Sequence, residues 1–366
     1  MSDVNLTLTL HGVKDLRLED RPIPEPGPGE VQVSARSVGI CGSDVSFWQR
    51  GHIGEYQLKA PLVLGHEPSG VISKLGQGVT TLQVGDRVAV EPSMPCGLCC
   101  YCRRGNYNVC VDLKYLATPP TNGALSRYFC HSASFVHKLP DNVSFDEGAM
   151  VQPLSIGFYA CQRAEVSVGD YILVSGAGPL GMIVMLAARA RGAAKICVTD
   201  INPGRLEFIK KIGADVTVLI GAGEEAKQTS QRVVEAVGRE VDVSIECSGN
   251  QTGTSTAIYS TRPKGVVCQV GFGGNTVEIP LTAATMKELD VRGMIRFANT
   301  YQTVIEAIAS GKVEVKQLIT HRYTLENALE AYNTALNQLG VKVIIDCERD
   351  TDVYCPIHLV LAKYSG

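Results

Sequence analysis

Three groups of residues in this 366-residue chain combine types and spacings that can do chemistry. The tightest is Cys96, Cys99, Cys102 and Cys110 in "CGLCCYCRRGNYNVC", spaced C-x2-C-x2-C-x7-C. Four thiolates close a tetrahedron around zinc and leave no position for a substrate, which is the structural kind of site. Such a metal would hold together a loop too polar and too short to fold alone. Cys100 falls off the pattern. The second group is dispersed: Cys41 in "GICGSD", and His66 and Glu67 in "LGHEPSG". A thiolate, an imidazole and a carboxylate leave one position of a tetrahedron open, as metal catalysis requires. On residue types alone, a His beside a Glu is usually a structural pair.

The third group is Gly176-Ala177-Gly178-Pro179-Leu180-Gly181, a G-x-G-x-x-G between a strand-like and a helix-like run. The first glycine permits a tight turn. The second lets the backbone approach a pyrophosphate held by the helix N-terminus, and the third lets the helix close on the sheet. Nineteen residues beyond Gly181 the next strand ends at Asp200. A carboxylate there accepts the adenine-ribose hydroxyls and repels a 2′-phosphate, so NAD is expected over NADP. The alternative for Asp200 is a turn cap in "TDINPG". Arg205 is placed either against the adenine ring or in solvent.

These groups need elements to position them. Up to about residue 150 the chain is short β-like runs punctuated by Gly and Pro: "EVQVSARSVG", "PLVLGHEPSGVISKLG", "DRVAVEP". From about Asp170 the rhythm becomes strand, Gly-rich turn, helix, strand. Further runs follow at helix-plus-strand spacing: "DVTVLI", "VDVSIECSG", "GVVCQVGF" and "DVRGMI". That predicts a doubly wound parallel α/β sheet. After Arg296 come two helical patterns, "YQTVIEAIASG" and "LENALEAYNTALNQ", and a strand, "VKVIID".

Composition bounds the function. Apolar residues at 45% and charged residues at 19% describe a globular, soluble chain, and a net charge of −3 suggests neither nucleic acid nor a polybasic membrane patch. The N-terminus alternates like a strand and carries charges from the start, so no signal peptide is expected. The weakly charged run from Tyr171 reads as strand, turn and helix rather than a membrane span. Thirteen cysteines without a secretion signal point to metal where they cluster and to core packing at Cys161, Cys197, Cys247 and Cys268. The cytosol is the expected location.

The order of motifs is more specific than any one of them. "GHEPSGVISKLGQGV" has the form G-H-E-x2-G-x5-G-x2-V, follows "GICGSD", and precedes the four-cysteine loop, "ATPPTNGALSRY", "KLPDN" and "GAGPLG". Over about residues 5–348 the chain resembles the polyol branch of the zinc-containing medium-chain dehydrogenases, nearest the sorbitol dehydrogenases. The resemblance implies a mainly β GroES-like catalytic domain interrupted by an α/β Rossmann domain, with an active site in the cleft between. The boundaries are expected at 1–154 (catalytic domain with the cysteine loop), 155–295 (Rossmann domain) and 296–366 (return to the catalytic domain plus a C-terminal extension). A homo-oligomer, commonly a tetramer, is also implied.

By that resemblance Cys41, His66 and Glu67 hold a catalytic zinc, and a polyol is oxidised to a ketose by hydride transfer to NAD. Ser43 matches the hydroxyl that relays a proton toward solvent. Phe47, Tyr115, Arg296 and Phe297 match substrate-contacting positions, and Arg296 can donate to vicinal hydroxyls; the alternative for Arg296 is a salt bridge. Val270, Gly271 and Phe272 match the turn beside the nicotinamide. The chain departs from the pattern at Gln152, where "EPLS" is usual and "QPLS" stands here. An amide is a poor zinc ligand and cannot take up a proton, and it removes one negative charge near the metal. Ser46 replaces a histidine of a proton pathway, Phe47 and Phe297 replace tyrosines, and Pro68 follows Glu67 in place of a small residue. These changes keep two other readings in view: a dehydrogenase for a less polar secondary alcohol, and an NAD-binding paralogue with little turnover.

Overall fold

A computed structural model describes residues 4–274 and 276–348; the expected C-terminal extension, 349–366, lies outside them. The chain divides into two units. One ends its first stretch at Gln152 and takes up again at Tyr301–Ala309 and from Glu314 onward; the other comprises Pro153–Thr300 and Ser310–Val313. The passage between them falls inside one helix, Phe145–Arg163, which holds Pro153 in its interior.

The second unit is a six-stranded sheet in the order Val216–Leu219, Lys195–Asp200, Tyr171–Ser175, Val241–Glu246, Thr261–Gln269, Asp290–Gly293. All its pairings are parallel. In chain order this is 3-2-1-4-5-6, the doubly wound arrangement that places ligands at the carboxyl ends of the strands. Its central strands, Lys195–Asp200, Tyr171–Ser175 and Val241–Glu246, are largely apolar runs buried on both faces, Val241–Glu246 without exception, because helices cover both sides of such a sheet; the edge strand Asp290–Gly293 is mostly exposed. Each of the six runs anticipated from the sequence is one of these strands. The run from Tyr171 is strand Tyr171–Ser175, a turn and helix Pro179–Ala190. Among the described residues no helix is long and apolar enough to cross a membrane. Cys161, Cys197 and Cys268 are buried, and Cys247 is half-buried.

The first unit is built on a seven-stranded, mainly antiparallel sheet. Its path runs Val136–Lys138, Arg87–Val90, Glu67–Leu75, Glu30–Gly39, Lys342–Asp346, Ile319–Thr324, and Tyr128–Ser132 also pairs with Glu30–Gly39. The late strand Lys342–Asp346 thus lies beside the early strand Glu30–Gly39, with Ile344 opposite Gly39. Helix Gly42–Arg50 is pinned to this unit's core by Phe47 and Trp48, and Trp48 meets Tyr332 edge-on at 5.8 Å. Burial of side chains this size contributes about 1.5–3 kcal/mol each. That anchoring fixes the start of the helix, and with it Cys41.

The helix Phe145–Arg163 is not foreseen in the sequence reading, because Pro153 and two glycines speak against one. Its start is nonetheless encoded. Glu147 Oε2 accepts from the Ser144 backbone N–H at 2.9 Å, and Ser144 Oγ accepts from the Glu147 N–H at 3.3 Å. This is the reciprocal Ser-x-x-Glu cap.

Candidate active site

Cys41, His66 and Glu67 come together: one donor atom from each lies within 4.8 Å of the others. Cys41 is the extended residue that caps helix Gly42–Arg50. His66 and Glu67 follow a turn at Gly65, whose φ of +86° suits glycine. Glu67 opens the strand Glu67–Leu75 and lies opposite Gly39. A Cβ at Gly39 would stand 2.0 Å from the Glu67 carboxylate, so only glycine leaves room for that side chain.

Two charged residues organise these donors, and neither was singled out from the sequence. Asp44, 1% exposed, accepts from the Cys41 N–H at 3.1 Å and the Gly65 N–H at 3.3 Å, and its Oδ1 lies 3.4 Å from His66 Nδ1. It ties both ligand loops together and keeps a proton on Nδ1, which leaves Nε2 as the donor nitrogen. Burial opposes charge on His66, but Asp44 and then Cys41 outweigh it and hold its pKa well above the ordinary histidine value. Lys342 is the second. Its Nζ donates to both Glu67 oxygens at 2.8 and 2.6 Å and to the Ile40 carbonyl at 3.2 Å. Asp44 was within reach of sequence reasoning, as the acid three residues into a helix starting at Cys41. Lys342 is a lone cation in an apolar strand, 275 residues from its partner.

The donor set suits zinc: thiolate, imidazole and carboxylate, with each carboxylate oxygen keeping a lone pair beside the ammonium of Lys342. Near it, Tyr115 packs its ring 5.9 Å from that of His66, and Gln152 Nε2 donates to the Tyr115 hydroxyl at 3.0 Å. Ser43 lies half-buried in the first turn of the Cys41-capped helix. Ser46 bonds to the Gly42 carbonyl and accepts from Arg50, both at 2.9 Å. Phe47 is a core residue, and Pro68 is buried in the sheet opposite Val38.

The four cysteines of the loop also converge, with Sγ atoms within 4.8 Å of one another and Cys100 exposed. Cys99–Cys102, Cys96–Cys110 and Cys96–Cys102 are 3.4, 3.5 and 4.0 Å apart. Zinc–sulfur bonds of about 2.3 Å at tetrahedral angles put sulfurs about 3.8 Å apart, so the set fits the ion. Backbone N–H groups of Cys96, Cys99 and Cys102 point at the sulfurs of Cys110, Cys96 and Cys99. The Cys102 N–H draws the Cys99 thiol down to about 6.

In the second unit, the Gly176 turn has φ +99°, and a Cβ on Gly181 would lie 1.8 Å from the Gly176 carbonyl. A Cβ on Gly178 would meet nothing within 4 Å. That leaves open space over the first turn of helix Pro179–Ala190, where Pro179 and Leu180 begin, as a pyrophosphate requires. Asp200 closes its strand; its oxygens accept from the Ala177 N–H at 2.7 Å and the Asn202 N–H at 2.8 Å. Each retains a lone pair for a ribose hydroxyl. Arg205 is half-buried in helix Pro203–Lys211. Val270 and Gly271 follow strand Thr261–Gln269 and both donate to the Glu246 carbonyl at 2.9 Å, while Phe272 is exposed. Glu246, fully buried, accepts from Ser248 and Gly249 N–H groups and from Gln269, and it was missed in the sequence. Arg296 holds a left-handed backbone, φ +52°, unusual for a residue with a side chain, and Phe297 is fully buried.

Residues 27–141 match the family model for the alcohol dehydrogenase GroES-like domain, and residues 179–310 match that for zinc-binding dehydrogenases. The chain is 47% identical to the sorbitol dehydrogenase of Bos taurus over 94% of its own length and 96% of that protein's. To the sorbitol dehydrogenase of Homo sapiens it is 46% identical with the same coverage. Among solved structures, a short chain alcohol dehydrogenase from E. coli CFT073 complexed with NADH superposes with a TM-score of 0.87 at 28% identity, covering 94% of this chain and 100% of that one.

Proposed function

The chain belongs to the zinc-binding medium-chain dehydrogenases, in their polyol branch, and from that premise we propose how its residues divide the work. It is an NAD-dependent oxidoreductase interconverting polyols and ketoses of the sorbitol/fructose and xylitol/xylulose type, with one catalytic and one structural zinc. The observation that carries this reading is the convergence of Cys41, His66 and Glu67 within 4.8 Å, which leaves a fourth position for an alcohol.

Zinc, when bound, favours the alkoxide form of an alcohol, and NAD takes up the hydride. Cys41, His66 and Glu67 would hold the catalytic metal, with Asp44 orienting the imidazole; Cys96, Cys99, Cys102 and Cys110 would hold the structural one. Ser43 would carry the hydroxyl proton toward solvent. Arg296 would donate to vicinal hydroxyls, a role a strained backbone supports, while Phe47, Tyr115 and Phe297 would line the substrate site. Gly176, Gly178, Pro179, Leu180 and Gly181 would receive the pyrophosphate, Asp200 the ribose, Arg205 the adenine, and Val270, Gly271 and Phe272 the nicotinamide. The catalytic domain would comprise 1–154 and 296–366, with the Rossmann domain at 155–295. A cytosolic homotetramer is the proposed form. Edge strand Asp290–Gly293, with its own exposed Val291 and with exposed Leu281 and Met286 in the helix that precedes it, offers a surface that association would cover.

The test is NAD reduction against a panel of alditols and apolar secondary alcohols, with and without a chelator, alongside metal analysis. Two zincs per chain and chelator-sensitive turnover on sorbitol or xylitol are expected. Oxidation confined to apolar alcohols, or NAD binding without turnover, would overturn the reading.

A further inference from the structure

Glu246 ends the central strand Val241–Glu246 and is fully buried, yet among the described residues it has no ion-pair partner. Its Oε1 accepts from the Ser248 N–H at 2.8 Å and from the Ser248 hydroxyl. Its Oε2 accepts from the Gly249 N–H at 2.9 Å and from Gln269 Nε2 at 2.6 Å. The Gln269 amide is held in that sense, because its oxygen accepts from Thr254 Oγ1 and its nitrogen also donates to the Gly271 carbonyl, both at 3.0 Å. Two backbone N–H groups and an amide nitrogen can only donate, which is the setting of an ionised, acceptor-only carboxylate. Helix Gln251–Ser260 begins beside it, since a Cβ on Gly253 would stand 2.7 Å from Oε1. A helix N-terminus supplies about half a unit of positive charge, so a net negative charge stays sealed at the carboxyl end of the sheet. Buried charges are ordinarily paired, and here the partner has to arrive from outside the chain.

Only backbone separates this carboxylate from the turn Val270–Phe272. A Cβ on Gly271 would stand 2.9 Å from Glu246 Oε2 and 2.2 Å from the Gly249 nitrogen. Gly249 holds a φ of +68°, and a Cβ there would meet the Phe272 carbonyl at 2.3 Å. The proposed function puts the nicotinamide on this turn, and that ring is a cation in NAD and neutral in NADH. We infer that Glu246 is the fixed counter-charge of the oxidised nicotinamide, acting through the Val270–Phe272 turn to favour NAD over NADH. The inference rests on the proposed function and adds a residue to it. Glu246 is a positioning residue, fully buried beneath the turn. Its hydrogen bonds brace the turn for both forms of the cofactor, and its charge alone tells them apart. An opposite charge a few ångströms away shifts a charged-to-neutral balance about 10–1000-fold. With the helix N-terminus offsetting part of the field, about tenfold is expected here. For a two-electron couple, tenfold lowers the potential of the bound cofactor by about 30 mV.

The test is made by binding, without turnover. Full-length protein and its Glu246→Gln and Glu246→Asp variants are titrated with NADH by fluorescence, and with NAD by displacement of NADH. Glu246→Gln should raise the Kd of NAD relative to that of NADH about tenfold. Glu246→Asp keeps the charge but shortens its reach to the donors, so both affinities fall while their ratio stays near that of wild type. A further measurement needs no variant. Wild-type protein should bind NAD about tenfold more tightly than the analogue in which an uncharged benzamide replaces the nicotinamide, and Glu246→Gln should abolish that preference. Equal losses of NAD and NADH in Glu246→Gln would leave Glu246 a brace of the turn and overturn the inference. A Glu246→Asp that changes the ratio as Glu246→Gln does would overturn it too, as would wild-type protein that binds NAD and the uncharged analogue alike. If Glu246→Gln does not fold, the comparison on wild-type protein decides alone. Wild-type protein that binds neither NAD nor NADH would overturn the proposed function itself, a result visible before any variant is made.

Discussion

Lys342→Met is the perturbation that most directly probes how the catalytic donors are held. Glu67 is 1% exposed and Lys342 is 6% exposed in its side chain, and the ammonium sits 2.6 and 2.8 Å from the two carboxylate oxygens. At an effective dielectric of about 20 such a contact is worth about 6 kcal/mol of raw attraction, most of it spent against desolvation. Removing one partner strands the other charge, at a cost of about 3–5 kcal/mol. At roughly 2–4 °C per kcal/mol, the metal-free variant should melt about 6–20 °C lower. Zinc changes the sum, because a cation beside Glu67 supplies the countercharge that methionine lacks. If zinc recovers about 2 kcal/mol of the loss, the variant binds zinc about 30-fold more tightly than wild type does. The lost bond to the Ile40 carbonyl is common to both states and cancels in the difference. Melting curves of apo and zinc-loaded protein, with zinc affinity from chelator competition, measure both quantities. Equal losses in the two forms, or weaker zinc binding, would refute the idea that Lys342 and zinc share Glu67.

Other consequences are open to simpler measurements. Asp200→Ala should weaken NAD at least about tenfold and narrow its advantage over NADP, since hydrogen bonds to a charged acceptor contribute about 1.5–3 kcal/mol; fluorescence titration with both dinucleotides reads it, and an unchanged ratio would remove Asp200 from the ribose site. Cys99→Ser should lower bound zinc from two to one per chain and lower the melting temperature, because the loop loses its metal; two zincs retained would contradict the assignment. Burial, against the Glu91 carbonyl bond, pushes His131 from 6.5 down to about 4. Between those values the unfolded chain holds a proton that the folded chain refuses, so stability falls as pH drops through that window, by about 3 kcal/mol in all. His131→Gln should flatten that slope in denaturation at pH 7 and pH 4.5. Gln152→Glu places a negative charge near the metal donors and should slow zinc loss to chelator about tenfold; an unaltered rate across a pH series would separate Gln152 from the metal.

What could be read directly was whatever lies close along the chain. The four loop cysteines span fifteen residues, and the Gly176–Gly181 turn six, so spacing alone constrains their geometry. Asp200 is reachable for the same reason: one helix and one strand carry the chain from the turn to it in a unit of standard dimensions. The central parallel strands announce themselves because strands covered on both faces are continuous apolar runs; the edge strands are legible from their helix-plus-strand spacing. The helix Phe145–Arg163 stayed hidden because its proline and glycines contradict local propensity, and tertiary burial overrides propensity.

The catalytic donors belong to both levels. Their residue types were legible, and the family resemblance joined them, but their meeting depends on long-range sheet pairing. Glu67 lies opposite Gly39, and strand Lys342–Asp346 returns from the far end of the sequence to the same sheet. Only that return supplies Lys342, and only packing against His66 sets Tyr115 where Gln152 can reach it. Local spacing encodes which groups are present; the register of distant strands decides which charges face each other, because electrostatics acts through space and not along the chain.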